Sequence, residues 1–294
     1  MALVALIAVT AVWGVTFVQV KDAVEIYPLF AFLAVRYAIA TGALAIAGGS
    51  RLRTLGRPGL AAGAVLGLLL GLGIGLQTAG LERTTVSSTG FITGLYVVLT
   101  PLFGLVLFRT RVGLEVWLGV ALAVVGLAML SGVHVGEPGG NLLVLASTAA
   151  QALQIVMVER YAPRYDAVAL TLVQMAACFV GFLVVALAAG QLEVPRGATV
   201  WGALLVTGVF ASALAYLIQV WAQRRLSAAR IAIVFSLETV FAGLFGYLLA
   251  GDRLGWLGWG GCAVILAGIV VAEPSAAATL RRLAGRAPAL LPSD

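Results

Sequence analysis

Charge is what this 294-residue chain has least of: 18 basic and 12 acidic residues make up only 10% of it, against about 25% in a soluble domain. That scarcity excludes a soluble enzyme and leaves the net charge of +6 a poor argument for a nucleic-acid partner, because the arginines sit between hydrophobic runs. Histidine occurs once, as His134 beside Gly136, so no metal centre is expected. The two cysteines, Cys178 and Cys262, lie inside apolar runs, which leaves no disulfide framework and no thiolate zinc site. Strict polar–apolar alternation is absent, and with it a transmembrane β-barrel. Gly71-Leu72-Gly73 follows no strand and has no acid about 20 residues on, so it is no dinucleotide loop and no cofactor is expected. Ser87 and Ser88 have no base beside them, so an enzyme is not expected. Rings of charge or a filter, as a channel would carry, are also missing. The N-terminus lacks a basic lead-in and a cleavage site, and reads as a retained first span.

Apolar residue, by contrast, makes up 62% of the chain. Hydrophobic runs fall near 2–20, 28–48, 59–79, 85–108, 112–131, 140–158, 167–189, 199–221, 228–250 and 254–272. Each is close to the roughly 20 residues that cross a bilayer. The expected fold is an all-α membrane protein with ten transmembrane helices, and the tail 274–294 is expected to be a disordered basic segment. With the N-terminus inside, thirteen arginines fall on cytoplasmic segments and four basic residues outside. Both termini are therefore expected in the cytoplasm.

The chain also repeats itself. An offset of 142 lays Gln77 on Gln219, Phe103-Gly104 on Phe245-Gly246, Arg111 on Arg253, Gly119 on Gly261 and Gly126 on Gly268. For the leading helices an offset of 138 fits better and lays Tyr27 on Tyr165. Five helices per half is an odd number, so the two halves, 1–135 and 136–273, must run in opposite senses through the membrane. Inverted repeats are the signature of alternating-access carriers.

These features resemble the drug/metabolite transporter superfamily: ten helices in two inverted halves, Trp13-Gly14 in the first span, and the paired seven-residue glycine spacings. The chain looks like its EamA branch and is similar to YddG-type amino-acid exporters. The resemblance implies an inner-membrane carrier exporting amino acids of broad specificity, with the first, third, fourth, sixth, eighth and ninth helices around a central cavity. An acid often found at the end of the fourth helix in that family is missing here, where Arg109-Thr110-Arg111 stands; the second half keeps Asp252.

Candidate substrate-binding residues follow from spacing and chemistry. Thr89, Thr93, Tyr96 and Thr100 share one face of the fourth helix, where threonines can bond their own backbone but a tyrosine hydroxyl wants a partner. Pro101 removes a backbone hydrogen bond there and marks a bend or hinge. Offset 142 carries Tyr96 onto Glu238, the one acid well inside a span. Burying it costs roughly 2.5–3.5 kcal/mol, so it needs a partner, water or a proton, and it suits a substrate ammonium or a coupling proton. Arg36, in the second helix, is the one mid-span cation; it could pair with Glu238 or hold an anionic substrate, and the peripheral placement of that helix in the resembled family favours a structural or snorkelling role. Ser147, Gln151 and Gln154 share a face of the sixth helix, and offset 138 places Gln151 on Trp13 and Gln154 on Thr16. Trp13 lies well within its span, unlike Trp201 and Trp221 at span ends, and with Tyr216 it forms an aromatic wall. Gln77 and Gln219 complete the set. Gly63, Gly67 and Gly71 at steps of four are read as a close-packing stripe. The expected partners are small-molecule amino acids or related metabolites and the lipid bilayer. One chain completes the path, so a monomer suffices. Efflux of cationic or aromatic drug-like compounds is the alternative.

Overall fold

The computed structural model describes residues 1–84, 86–131, 137–249 and 255–272. His134, Asp252, Arg253, the boundary between the halves and the basic tail lie outside them. Among the described residues all regular structure is helical, as hydrocarbon demands of a backbone that finds no water to bond. The helices are α1 (Ala2–Ile26), α2 (Leu29–Gly48), α3 (Gly56–Leu81), α4 (Val86–Gly94), α5 (Tyr96–Phe108), α6 (Leu114–Ser131) and α7 (Pro138–Tyr161). They continue as α8 (Ala167–Ala188), α9 (Ala198–Gly208), α10 (Ala215–Gln223), α11 (Ala228–Phe235), α12 (Leu237–Leu249) and α13 (Trp256–Ala272). Among the described residues seven helical segments are long and apolar enough to cross a membrane, and the runs near 2–20, 112–131 and 254–272 supply three shorter apolar helices. Large apolar side chains face outward, among them Ile46 (91% exposed), Val106 (73%) and Trp256 (81%). Apolar exposure on that scale belongs against lipid.

Three of the runs are not continuous α-helices. The fourth breaks at Leu95 (ψ −8°) between α4 and α5, and the ninth at Ser236 (ψ −15°) between α11 and α12. Both depart from the helical ψ of about −42° at nearly equivalent places in the repeat. The break in the fourth run therefore precedes Pro101, which sits inside α5. The eighth run carries a π-helical segment, Val209–Leu214, between α9 and α10.

Packing joins mates across the repeat. Gly119 of α6 abuts the backbone at Gly268 of α13, and Gly126 abuts Gly261; a Cβ on Gly126 would stand 2.7 Å from the Gly261 oxygen. Close approach at these crossings requires glycine. The order of these contacts makes α6 and α13 antiparallel. The same holds for α2 and α8: at one end Arg51 pairs with Asp166 (3.3 Å); at the other the Tyr27 hydroxyl donates to the Glu193 carbonyl (2.6 Å) and the Phe30 N–H to Gln191 Oε1 (3.2 Å). Asp166 also caps α8 by accepting from the Ala169 N–H at 3.0 Å. Burial first, then the Glu193 carboxylate, holds the Tyr27 hydroxyl above its ordinary range, so it remains a donor.

The glycine stripe of α3 divides between two partners. Gly63 and Gly67 meet α8 at Val173, Gln174 and Ala177, whereas Gly73 and Gly80 meet α7 at Gln151 and Val144; Gly71 has ordinary clearance.

Candidate functional site

Helices from both halves enclose one cavity, lined from α1, α3, α5, α7, α10, α11 and α12, with Arg36 reaching in from α2. Its lining climbs α3 from Leu70 to Leu81, the last residue of that helix, and α1 as far as Val20. It offers water centres about 80 Å³. One water needs about 10–15 Å³ by this measure, so about five waters, or the polar end of a small solute, can enter.

Eight of the nine residues expected to bind substrate line this cavity: Trp13, Gln77, Tyr96, Gln151, Gln154, Tyr216, Gln219 and Glu238. Thr93 does not. It is buried behind Gln77, whose Nε2 donates to its Oγ at 3.0 Å, and so orients a lining residue instead. Thr100 is also buried away from the cavity, with its hydroxyl unpartnered. The break at Leu95 explains why only Tyr96 of that polar stripe reaches the lumen.

Mates in the repeat face one another here. Trp13 and Gln151 line together, as do Thr16 and Gln154, Ile74 and Tyr216, Gln77 and Gln219, and Tyr96 and Glu238. The halves supply equivalent positions but unequal chemistry. At these five pairs the second half contributes three glutamines, a tyrosine and the acid, and the first half two rings, an aliphatic, a threonine and a single glutamine. The site is thus polarised despite its symmetric scaffold.

The second-half amides have fixed orientations. Gln223 donates through Nε2 to the Ile155 carbonyl (2.7 Å), an acceptor only, which leaves its Oε1 to accept from Gln219 Nε2 (2.9 Å). Gln219 Nε2 also donates to Gln154 Oε1 (3.1 Å). One backbone carbonyl therefore sets three amides in turn. The chain ends with two unpartnered atoms, Gln219 Oε1 and Gln154 Nε2, on residues of the cavity wall. Gln151 is held separately, donating to Ser147 Oγ at 2.9 Å, and Gly73 leaves space for its side chain, since a Cβ there would stand 2.7 Å from Gln151 Cγ.

An aromatic wall runs beside these amides. Trp13 lies 5.6 Å from Tyr216 and 4.9 Å from Phe235, which meets Tyr96 edge-on at 6.4 Å. Trp13 Nε1 donates to the Ala211 carbonyl (2.8 Å), inside the π-helical segment. Phe235 was not anticipated; it precedes Ser236 and Glu238, and an aromatic next to a polar break was the available signal. The lining of α3 shows a helical period, Leu70, Ile74, Gln77, Leu81, that also pointed inward.

Arg36 fits the structural half of its expected role and not the snorkelling half. It is 7% exposed, lines the cavity, and donates from Nε to Ser212 Oγ (2.8 Å) in the π-helical segment. It therefore does not snorkel to a membrane surface. Glu238, half-buried in the first turn of α12, lines the same cavity. No ion pair joins Arg36 to Glu238, although both line the lumen.

The EamA-like transporter family model matches residues 1–132 and again 138–272. The chain belongs to the EamA-like transporter family. An uncharacterized transporter of Archaeoglobus fulgidus is 32% identical over 92% of this chain and 83% of its own length. The uncharacterized inner membrane transporter YedA of Escherichia coli K12 is 28% identical over 91% of the chain and 89% of its own. A solved crystal structure at 20% identity superposes with a TM-score of 0.76, covering 96% of this chain and 98% of that one, and shows the shared fold. This EamA-like protein is thus a multi-pass membrane transporter. Its relatives and family point to transport, not to an enzyme.

Proposed function

We propose that this EamA-like protein is an inner-membrane carrier that exports amino acids, neutral and aromatic ones included, by alternating access. The observation that carries the reading is the amide chain anchored on the Ile155 carbonyl. It leaves one acceptor, Gln219 Oε1, and one donor, Gln154 Nε2, without a partner on two residues of the wall of a cavity that also holds the Glu238 side chain. A zwitterion offers an ammonium and a carboxylate to such a pair, and the wall of Trp13, Tyr216, Phe235 and Tyr96 accepts apolar or aromatic side chains. The two matches to one family model and the antiparallel mates α2/α8 and α6/α13 support ten spans in two inverted repeats of five. The arginine bias supports cytoplasmic termini, and on that orientation the cavity opens outward. Tyr96, Gln77, Gln151, Gln154, Gln219, Trp13, Tyr216 and Glu238 touch the substrate. Thr93 acts through Gln77, and Pro101 is the hinge as the halves rock.

The test is uptake of a labelled amino-acid panel by proteoliposomes holding the purified protein, with and without an imposed pH gradient. Saturable flux is expected. If a gradient drives it and Glu238→Gln abolishes the drive, that acid couples a proton; flux indifferent to the gradient leaves it a binding group. A folded protein that moves no amino acid overturns the reading. Movement of aromatic cations alone would establish the second reading, which the placing of Glu238 in one cavity with four aromatic rings favours.

A further inference from the structure

We infer that Arg36 reads the substrate carboxylate, and that the π-helical segment of the eighth run exists to hold it in that pose. The inference rests on the amino-acid reading above and adds a residue and a selectivity to it: a free carboxylate is required, and amines, amides and esters of the same side chain are rejected.

Arg36 is the one cation on the cavity wall among the described residues. A guanidinium keeps its charge in a protein and has five N–H donors but no acceptor. Here a single donor, Nε, is engaged, by Ser212 Oγ at 2.8 Å. Bonding through Nε fixes the plane of the fork and leaves the two Nη groups, which carry no hydrogen bond to a described residue. The Tyr37 ring lies 5.6 Å from the guanidinium carbon and further confines it. The edge that remains has the geometry that carboxylates occupy bidentately. A buried cation costs several kcal/mol when nothing offsets its charge, and the cavity's own acid, Glu238, does not pair with it. The compensating anion is supplied by the occupant.

The π-helical segment supplies the hold. A π turn exposes backbone groups that an α-helix would use internally, and here Trp13 Nε1 donates to the Ala211 carbonyl while Arg36 Nε donates to the side-chain hydroxyl of the next residue, Ser212. The same segment therefore places the aromatic wall and the cation. Gly208, just before it, allows α2 to approach; a Cβ there would stand 3.0 Å from the Arg36 carbonyl. The repeat makes the point by contrast. Offset 138 carries Arg36 onto Gln174, which is fully buried, off the cavity, and bonded at neither end of its amide. The mate of Ser212 at offset 142 is Leu70, which offers no hydrogen-bond acceptor on its side chain. One half of the scaffold has built a charged subsite where the other has none.

The experiment is competition against labelled phenylalanine flux in proteoliposomes, using unlabelled phenylalanine, phenylalaninamide and phenethylamine. In the natural protein phenylalanine should compete at least about tenfold more strongly than the amide or the amine. Arg36→Gln should collapse that ratio toward one, weakening the acid while leaving the amide and amine little changed. Ser212→Ala keeps the charge but frees the fork, and should weaken phenylalanine by a few-fold with unaltered thermal unfolding; it serves should Arg36→Gln fail to fold. Phenylalanine flux whose acid-to-amide ratio survives both variants overturns the role of Arg36 and leaves amino-acid export standing. Absence of phenylalanine flux with transport of phenethylamine overturns the amino-acid reading itself.

Discussion

Glutamine carries much of the chemistry in this membrane, and each one differs by what its amide meets. Gln223 never touches the cavity, yet it determines how Gln219 and Gln154 present themselves, because its own amide must donate to the Ile155 carbonyl. Gln223→Met keeps the volume and removes that direction. Transport of the substrate should fall about tenfold, as expected for a hydrogen-bonded array whose polarity is lost, with thermal unfolding in detergent little altered. Unchanged flux would show that the amide orientations are irrelevant. Gln174 presents the opposite case, a fully buried amide without a partner among the described residues. Gln174→Met should raise stability by about 1–3 kcal/mol, read as a higher unfolding temperature in the same detergent, with transport kept. Spacing alone made Gln151 and Gln154 legible as one polar face; which amide atoms stay free depends on Ile155 and Gln223, and no spacing reports that.

At the scale of elements, interruptions matter more than helices. A continuous fourth helix would have put Thr89, Thr93, Tyr96 and Thr100 on one lumenal face. The break at Leu95 turns the stripe so that Tyr96 alone enters the cavity, and the matching break at Ser236 brings Glu238 in from the ninth run. Pro101 was the visible cue, but the break falls earlier in the chain, beside Gly94, whose missing side chain admits Leu127 of α6. The seven-residue glycine pairs were legible as repeat marks; that they pack on each other was not. Gly126→Val should push α6 from α13 against a backbone oxygen that cannot yield. Loss of at least about 2 kcal/mol is expected for such overpacking, measured as a lowered unfolding temperature, and full stability would refute the close crossing.

For the whole molecule, the decisive property is that equivalent helices run in opposite directions. Orientation in the bilayer can then be read from two positions at opposite ends of the α2–α8 pair. The natural cysteines, Cys178 and Cys262, are buried at 1% and 7% exposure, so an introduced thiol reports against a quiet background. Arg53→Cys should react with a membrane-impermeant maleimide only in inside-out vesicles, and Leu192→Cys only in intact cells. The reverse pattern would invert the topology and turn the cavity to the cytoplasm.

Composition and hydropathy by themselves determined that this chain is helical and multi-pass, because hydrocarbon leaves an apolar backbone few other ways to satisfy its amides. Internal offsets of 142 and 138 then paired the residues that would meet, since duplicated helices occupy equivalent places whatever their side chains. Only the tertiary structure decided which of those places face the lumen. Arg36 looked peripheral on the chain and stands in the cavity, while its mate Gln174 is sealed from it. The difference arises where one π-helical segment and one serine meet α2, a contact between residues 176 positions apart in the chain.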